Sequence, residues 1–567
     1  RDAYDSRIHE THEGRPVRPF FLFAVYVEIC YLCRLMGVVA VNSEKEKRMI
    51  KYPVSESSFR EIRRNGFAYV DKTMYVHQLV ETGKFFFLSR PRRFGKSLLI
   101  STMDSYFRAE RELFKGLDID RLEPEGWTAY PVLRLDFTRR GYNTPEDLPK
   151  TLAESVSRWE TEYGMSNSDD TPEGRFNNLI IDIYQRTGKP VVILIDEYDS
   201  PIVDVHGNPE LEELNRRVLH DFYRVMKANT DYIKFVFLTG VGKLGQINIF
   251  SGLNNLKDIS LNPAYSAICG ITKQELADDF GEGIRDMAQS NGWTVEETLE
   301  RLKKQYDGYH FSRDLTDVYN PFSVVNALFD RSIGDYWFQS GTPTRLLNQF
   351  LENDWGTPDL EGTVVSQSDL DSGDVLGNNL ALTCYYTGYL TIKDYYQDDD
   401  EIEYTLGYPN VEVRRGFFNN LLLAVRRRDA METNNFVRSL KRFVREDDID
   451  GFMHELQSFL AGIPYMNHTN KESQWQKDIL IIGRLVGISV DVERRTSDGR
   501  MDMVLESPKK IYIIEFKYGG TPEEALAQID DRKYALQFEN SLNTKSVVKV
   551  GVNISPDTRT IDAWTVA

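Results

Sequence analysis

Phe85-Phe86-Phe87-Leu88-Ser89-Arg90-Pro91-Arg92-Arg93-Phe94-Gly95-Lys96-Ser97 reads as a buried strand, a tight loop and the first turn of a helix that continues through Leu98, Leu99 and Ile100. Gly95-Lys96-Ser97 is the core of a phosphate-binding loop. In such a loop backbone N–H groups cradle phosphate oxygens, with the positive end of the following helix behind them. Lys96 is then placed to reach the β- and γ-phosphates of a nucleotide such as ATP, and the Ser97 hydroxyl to sit on Mg²⁺. Arg92, Arg93 and Phe94 complete the candidate cradle. The full pattern asks for a second glycine five residues before Gly95, but position 90 is Arg. The turn there must be made differently, with Pro91 as the candidate. A basic surface turn after a core strand would carry the same tripeptide, and residues further down the chain decide between the two.

Pro190-Val191-Val192-Ile193-Leu194-Ile195-Asp196-Glu197-Tyr198-Asp199 is an almost unbroken apolar run, as expected of a parallel strand covered on both faces. It ends in two carboxylates. Asp196 is placed to hold Mg²⁺, and Glu197 to polarise an attacking water. A strand ending in a solvated acidic turn would look the same in isolation; with the Gly-Lys-Ser loop upstream, the nucleotide reading is preferred. Phe235-Val236-Phe237-Leu238-Thr239-Gly240-Val241-Gly242-Lys243 is a third buried strand with polar residues at its end. Thr239 or Lys243 is placed to sense the γ-phosphate; a capping threonine and a solvated lysine stand equally beside that reading. With a strand at Pro131–Phe137 and a helix from Leu148 to Tyr163, the alternation from Phe67 to Leu238 predicts an α/β fold with a parallel sheet of P-loop nucleotide-binding type.

The chain has 567 residues, enough for about three domains at roughly 100–200 residues each. Its net charge of −18 excludes a wholly basic nucleic-acid coat, so any such contact must use a local patch. Four cysteines do not make a disulfide framework and fit a reducing cytoplasm. Residues 1–48 differ from the rest. Pro19 to Val41 is apolar and long enough to span a bilayer, yet Glu28 and Arg34 near its middle each cost about 2.5–3.5 kcal/mol at a helix centre. His9, His12, Cys30 and Cys33 have zinc-like spacing, which we attribute to chance because the cysteines sit inside the apolar run. We read residues 1–48 as a non-native extension or an upstream translation, ahead of a membrane anchor. Expected divisions are 1–48 for this extension, 49–280 for the nucleotide-binding domain, 281–470 for a mostly helical middle, and 471–567 for a C-terminal α/β domain.

Gly164 to Arg175 reads as a surface loop and Thr272 to Gln305 as helical. The aromatic pieces Tyr306–Phe311, Tyr319–Ser323 and Tyr336–Pro343 are not basic, so packing between helices is expected of them rather than base stacking. Tyr386–Ile392 is strand-like. Arg426-Arg427-Arg428 is a basic cluster, and Arg438, Lys441, Arg442 and Arg445 fall at helical spacing as a candidate phosphate-backbone face. A solvated helix face is the plainer reading of the same spacing.

In the last hundred residues, Glu493 to Leu505 reads as strand, turn and strand, and Ile511–Lys517 as the next strand. A hairpin turning near Pro508-Lys509 brings Asp502 opposite Ile514 and Glu515. One face of the Ile511 strand carries Ile511, Ile513, Glu515 and Lys517. Charges on an apolar face are costly unless paired or metal-bound. Asp502, Glu515 and Lys517 together suit a Mg²⁺-dependent hydrolytic site, with two hard carboxylate ligands and an ammonium to orient water or neutralise developing charge. A surface Glu–Lys pair on an edge strand is the plain alternative. Glu472, at the start of a helix to Leu485, is a weaker candidate ligand. Gln528, on a helix expected over Pro522 to Phe538, is a weaker candidate substrate contact.

These stretches resemble a family of bacterial proteins with an AAA-ATPase-like domain followed by a nuclease domain of the PD-(D/E)XK superfamily. The resemblance rests on Arg90–Ser97, Leu194–Asp199, Phe250–Leu256, Tyr306–Tyr309, Ser340–Pro343, Thr387–Thr391, Gly499–Asp502 and Ile514–Lys517, and runs from about Met49 to the end. It implies ATP binding by the first domain and catalytic positions at Asp502, Glu515 and Lys517. The Arg at position 90 is shared with the family. One departure comes after Val241, where the family often carries Ser-Lys and this chain has Gly245-Gln246. The expected function is an ATP-regulated nuclease acting on DNA rather than RNA, cytoplasmic, able to form a homo-oligomer and without a membrane partner. The rival is a nucleotide-dependent switch whose nuclease-like domain binds nucleic acid or a partner without cutting.

Overall fold

The computed structural model describes residues 50–567 apart from 167–168, 243–254, 341–359, 373–378, 399–400, 427–429, 463–470, 487–489, 497–498, 542–544 and 559. The apolar run 19–41, the His9/His12 and Cys30/Cys33 pairs, Lys243 and Gly245-Gln246 therefore lie outside the described residues. Among the described residues no helix is long and apolar enough to cross a membrane.

Five strands form the first sheet: β1 (Phe85–Ser89), β2 (Val132–Asp136), β3 (Val191–Asp196), β4 (Ile233–Gly240) and β5 (Lys257–Asp258). Their order is β2-β3-β4-β1-β5, and every pairing is parallel. Each residue of β1 and β3 is buried, as the unbroken apolar runs require of strands covered on both faces. Register places Ser89 beside Gly240, and Ile195 beside Leu238. The carboxyl ends of β1, β4 and β3 therefore lie side by side, which brings together the three polar stretches singled out in the sequence. The expected loop Gly164–Arg175 is shorter than read, because a helix, Pro172–Thr187, begins inside it. Thr171 caps that helix by accepting from the Gly174 N–H, and Pro172 opens it, a start signal that outweighed the polar composition.

The middle is mostly helical, and its helices include Lys273–Asn291, Val295–Tyr306, Pro321–Asp330, Val411–Arg426 and Ala430–Arg445. Packing between helices is the expectation for the aromatic pieces, but Tyr309 and Phe311 lie between helices in the chain and pack on the phosphate loop instead: Phe94 is edge-on to both, with ring centroids 4.7 and 5.2 Å away. Residues 341–343 of the last piece lie outside the described residues. The strand-like stretch Tyr386–Ile392 is mostly something else. A helix, Leu380–Thr387, covers its start; Gly388 ends that helix at φ +90°; and a strand begins only at Thr391. That strand, β7 (Thr391–Gln397), joins β6 (Thr363–Ser366) and β8 (Ile402–Gly407) in a small antiparallel sheet of order β6-β8-β7.

The last sheet holds β9 (Val490–Thr496), β10 (Gly499–Glu506), β11 (Lys510–Tyr518), β12 (Ser546–Ile554) and β13 (Ile561–Val566), in the order β13-β12-β11-β10-β9. Only β11 and β12 pair in parallel. Helix Lys471–Val486 packs on β9, and helix Pro522–Asp531 on β11 and β12. The latter stops short of the expected Phe538, which falls in a 3-10 segment, Tyr534–Ser541. One continuous apolar core runs from Phe59 to Ile561, through all three regions.

Glu412, in the first turn of Val411–Arg426, is only 1 % exposed within this core. Its carboxylate accepts from Ser323 Oγ at 2.8 Å and from the Trp337 N–H at 2.9 Å. Burial nevertheless pushes its carboxyl up to about 7, those two bonds pulling the other way. The folded chain thus retains this proton where the unfolded chain has lost it. Its contribution to stability is complete below the ordinary carboxyl range and is lost as pH rises towards 7. Glu412→Gln keeps an acceptor for Trp337 and should flatten that part of the curve of urea midpoint against pH; an unchanged slope would show that Glu412 is ionised in the fold.

Candidate nucleotide and metal sites

The helix Lys96–Phe107 starts directly after the loop, with Gly95 as its N-cap at φ +91° and open space where a Cβ would stand. A side chain would be strained there and would cover the helix N-terminus. Lys96 is 3 % exposed. Its ammonium donates to Arg90 O at 3.0 Å and Pro91 O at 3.1 Å, and lies 3.1 Å from Glu197 Oε1. Glu197 itself adopts φ +50°, a backbone a non-glycine residue adopts only under constraint. Beside it, the buried Asp196 accepts from Thr239 Oγ1 at 2.7 Å and bonds with the Ser97 side chain. Burial and the Glu197 charge raise the Asp196 carboxyl above its usual range, and the Ser97 and Thr239 bonds oppose them.

The turn expected of Pro91 is built around Arg90. Its side chain is fully buried and donates to the carbonyls of Ser89, Ser260 and Tyr265. Its guanidinium lies 4.2 Å from the centroid of the Phe311 ring. Arg93 stacks at 3.9 Å over Phe322 and faces the carbonyls of Tyr336 and Trp337 at 3.4 Å. Arg92 is exposed.

Lys96, Ser97 and Glu197 face a cavity of about 340 Å³ whose other walls include Tyr69, Cys269 and Phe322. Its lining is mixed, with Lys72, Lys96 and Glu197 beside Ile62, Leu99 and Ile271, and helix Pro321–Asp330 contributes Phe322 and Val325 to the wall. Asp199, which the sequence pattern left without a role, is buried and accepts from the Val241 and Gly242 N–H groups at 2.9 and 3.1 Å, fixing the turn after β4. Burial, reinforced by Glu197, pushes its carboxyl up to about 7. Any Cβ at Gly240 would stand 2.6 Å from Asp199 Oδ1. The one sign of this clamp in the sequence is a third acid two residues after Glu197.

In the C-terminal sheet, Met503 pairs with Ile514 across the β10–β11 hairpin. This sets Asp502 across from Glu515, as the turn position predicts. Asp502 Oδ2 accepts from the Phe516 N–H at 2.9 Å. Ile511 and Ile513 pack with Ile529 of helix Pro522–Asp531 on one face of β11, and Glu515 and Lys517 emerge on the same face. Gln528 of that helix joins the two: its Nε2 donates to Glu515 Oε1, and its Oε1 accepts from Lys517 Nζ. Gln528 thus belongs to the centre of the cluster. Glu472 lies in helix Lys471–Val486, but its side chain is outside the described ones.

Glu515 is 2 % exposed, and among the described residues its Oε2 has no hydrogen-bond partner. Burial pushes its carboxyl up to about 8, with a further push from the Asp502 charge and a counteracting pull from Lys517. A buried oxygen without a partner, beside a second carboxylate, is a donor set that suits a hard divalent cation. Among the described residues no group of three or more His, Cys, Asp or Glu side chains could hold a metal, so Asp502 and Glu515 would supply two oxygen donors and solvent or substrate the rest. Gly551, the partner of Glu515 on β12, carries no signal in the sequence that would have marked it. A Cβ there would stand 2.0 Å from Pro522 O, so only glycine lets the Gln528 helix lie this close.

The Predicted AAA-ATPase family matches residues 53–250, and the PD-(D/E)XK nuclease superfamily matches residues 470–564. A protein of Azotobacter chroococcum mcd 1, named "Uncharacterized protein in vnfD 5'region", is 32 % identical over 529 residues, which cover 91 % of this chain and 98 % of that protein. The phosphate loop and paired acids lie within the first match, and Asp502, Glu515, Lys517 and Gln528 within the second. This chain belongs to the family that joins a predicted AAA-ATPase domain to a C-terminal PD-(D/E)XK nuclease superfamily domain.

Proposed function

We propose that the chain is an ATP-regulated, Mg²⁺-dependent nuclease that hydrolyses DNA phosphodiester bonds. The observation that carries this reading is the unpartnered, buried Glu515 Oε2 beside Asp502, with Lys517 held next to it by Gln528. Asp502 and Glu515 would hold the cation. A divalent metal bound there polarises the scissile phosphate and makes a bound water acidic enough to attack. Lys517 faces the charge that develops on the phosphate, and Gln528 sets the position of its ammonium. The proposed divisions are those drawn at residues 48, 280 and 470.

ATP would occupy the cavity between the loop and helix Pro321–Asp330. Lys96 and the backbone of Arg93, Phe94 and Gly95 would meet its phosphates. Ser97 and Asp196 would hold Mg²⁺, Glu197 would orient water, and Thr239 would fix Asp196. A chain of contacts supports regulation. Ser323 of the cavity-wall helix bonds to Glu412, and the Glu412 helix packs on helix Lys471–Val486, which packs on β9 beside β10. Nucleotide binding that shifts the wall helix therefore has a packed route to the strand carrying Asp502.

Plasmid and linear DNA, incubated with Mg²⁺ with and without ATP, test the reaction. Lys517→Ala should slow cleavage about 10²–10³-fold, the usual loss when one group stabilising transition-state charge is removed. Glu515→Ala should abolish Mg²⁺-dependent cleavage. If neither wild type nor variant cuts with Mg²⁺ or Mn²⁺ and ATP present, the nuclease reading falls and the switch reading replaces it. In calorimetry, Lys96→Ala should weaken ATP binding roughly tenfold to a hundredfold, as expected for losing a charge-assisted bond of about 1.5–3 kcal/mol. Unchanged affinity would remove the nucleotide from this loop.

A further inference from the structure

A cavity of about 710 Å³ lies where four helices meet, apart from both sites described above. Val295–Tyr306 lends it Arg301 and Lys304, Val411–Arg426 lends Arg414 and Arg415, Ala430–Arg445 lends Lys441 and Arg445, and Lys471–Val486 lends Arg484. None of the described residues lining it is acidic. Three of the seven cations are already engaged: Asp335 pairs with Arg415, Glu297 lies 3.2 Å from Arg301, and Arg484 has an interaction of its own. Among the described residues Lys304, Arg414, Lys441 and Arg445 make no ion pair with a carboxylate.

Such crowding is costly even in a chain whose net charge is −18. Lys441 registers the cost: burial, then the guanidiniums of Arg415 and Arg445, lower its pKa from the ordinary lysine value. Like charges gathered in one cavity by four separate helices are relieved by a polyanion that touches all four. The wall formed by Lys471–Val486 also packs on β9, whose neighbour β10 carries Asp502. An anion held here thus lies against an element that supports the candidate metal site.

We propose that this cavity seats the phosphodiester backbone of a nucleic-acid strand, and so acts as the strand-binding site of the enzyme. The proposal rests on the nuclease reading for the identity of the polyanion. Seven cations exceed what one phosphate group requires, and their spread over four helices suits successive phosphates. Trp293 also lines the cavity, beneath the Arg301 guanidinium, which lies 4.4 Å from its ring centroid.

Anisotropy of a fluorescein-labelled single-stranded DNA, titrated with the full chain in EDTA across a salt series, tests the proposal without cleavage. The double variant Lys441→Gln/Arg445→Gln should bind at least about tenfold more weakly, and its log–log salt slope should shrink by about 1.4, from roughly 0.7 for each lost phosphate contact on a single strand. Its thermal midpoint should match wild type; should it fail to fold, Arg414→Gln, on a different helix, is read instead. Unchanged affinity and slope would overturn the proposal. So would a wild type that binds no DNA, or DNA binding that persists while inorganic tripolyphosphate fills the cavity. Strand binding through the cavity without cleavage would sink the nuclease reading and leave this site standing. Lys517-dependent cleavage with strand binding indifferent to the cavity variants would do the reverse.

Discussion

A buried guanidinium that makes no ion pair with a carboxylate among the described residues underlies the first half of the molecule. Arg90 is buried, and its hydrogen bonds go to carbonyls: Ser89 at the end of β1, Ser260 just after β5, and Tyr265 beyond. Its charge is shared among peptide dipoles and the face of Phe311, an arrangement tolerable in a dry interior only because the delocalised guanidinium is weakly hydrated. These bonds join the β1 end to the segment that leads into the helical middle. Phe94 and Gly388 complete the join: Phe94 packs on Tyr309 and Phe311, and a Cβ on Gly388 would stand 2.7 Å from the Pro91 Cβ. The phosphate loop is therefore part of the junction between two regions. Lys96 depends on it directly, since two of its three partners are the carbonyls of Arg90 and Pro91.

The two candidate sites answer one electrostatic problem in related ways. Each puts acids at or near a strand end with a lysine close by, and each uses neutral groups to hold the charges at a defined separation. At the loop, Ser97 and Thr239 hold Asp196 while Lys96 reaches Glu197. In the C-terminal sheet a single amide, Gln528, accepts from Lys517 and donates to Glu515. Carboxyls whose pKa values are raised by burial mark both places, as is usual where binding or catalysis needs a group that a stable core would exclude.

Much of this was legible in the sequence where local rules govern. The unbroken runs of β1, β3 and β4 gave away a doubly covered parallel sheet. Period-two alternation put Glu515 and Lys517 on one face, and the turn at Pro508-Lys509 put Asp502 opposite. Features set by elements far apart in the chain were not legible. The sequence marks Gln528 as a candidate contact, but its place between Glu515 and Lys517 depends on how closely a helix lies on the sheet, which Gly551 permits from another strand. The clamp made by Asp199 depends on a turn some forty residues later. Helical spacing grouped Arg438, Lys441, Arg442 and Arg445 as one face, but folding divides them. Lys441 and Arg445 turn into the cavity, while Arg442 stacks on Phe443 and reaches Glu446. One-strand reasoning likewise misread Tyr386–Ile392, because the Asn379 cap, which accepts two N–H groups, commits that stretch to a helix first.

The helix Val411–Arg426 touches three neighbourhoods at once. Its first turn carries Glu412, bonded to the wall of the nucleotide cavity; its next residues, Arg414 and Arg415, face the basic cavity; and it packs against the helix that leads into the C-terminal sheet. On the proposed function this helix borders two ligand sites, and coupling between binding sites is thermodynamically symmetric. Whatever factor ATP applied to the grip on a strand, the strand would apply to the grip on ATP. On that proposal, a chain that worked in this way would hold its nucleotide differently in the presence of nucleic acid, and so would sense the polymer.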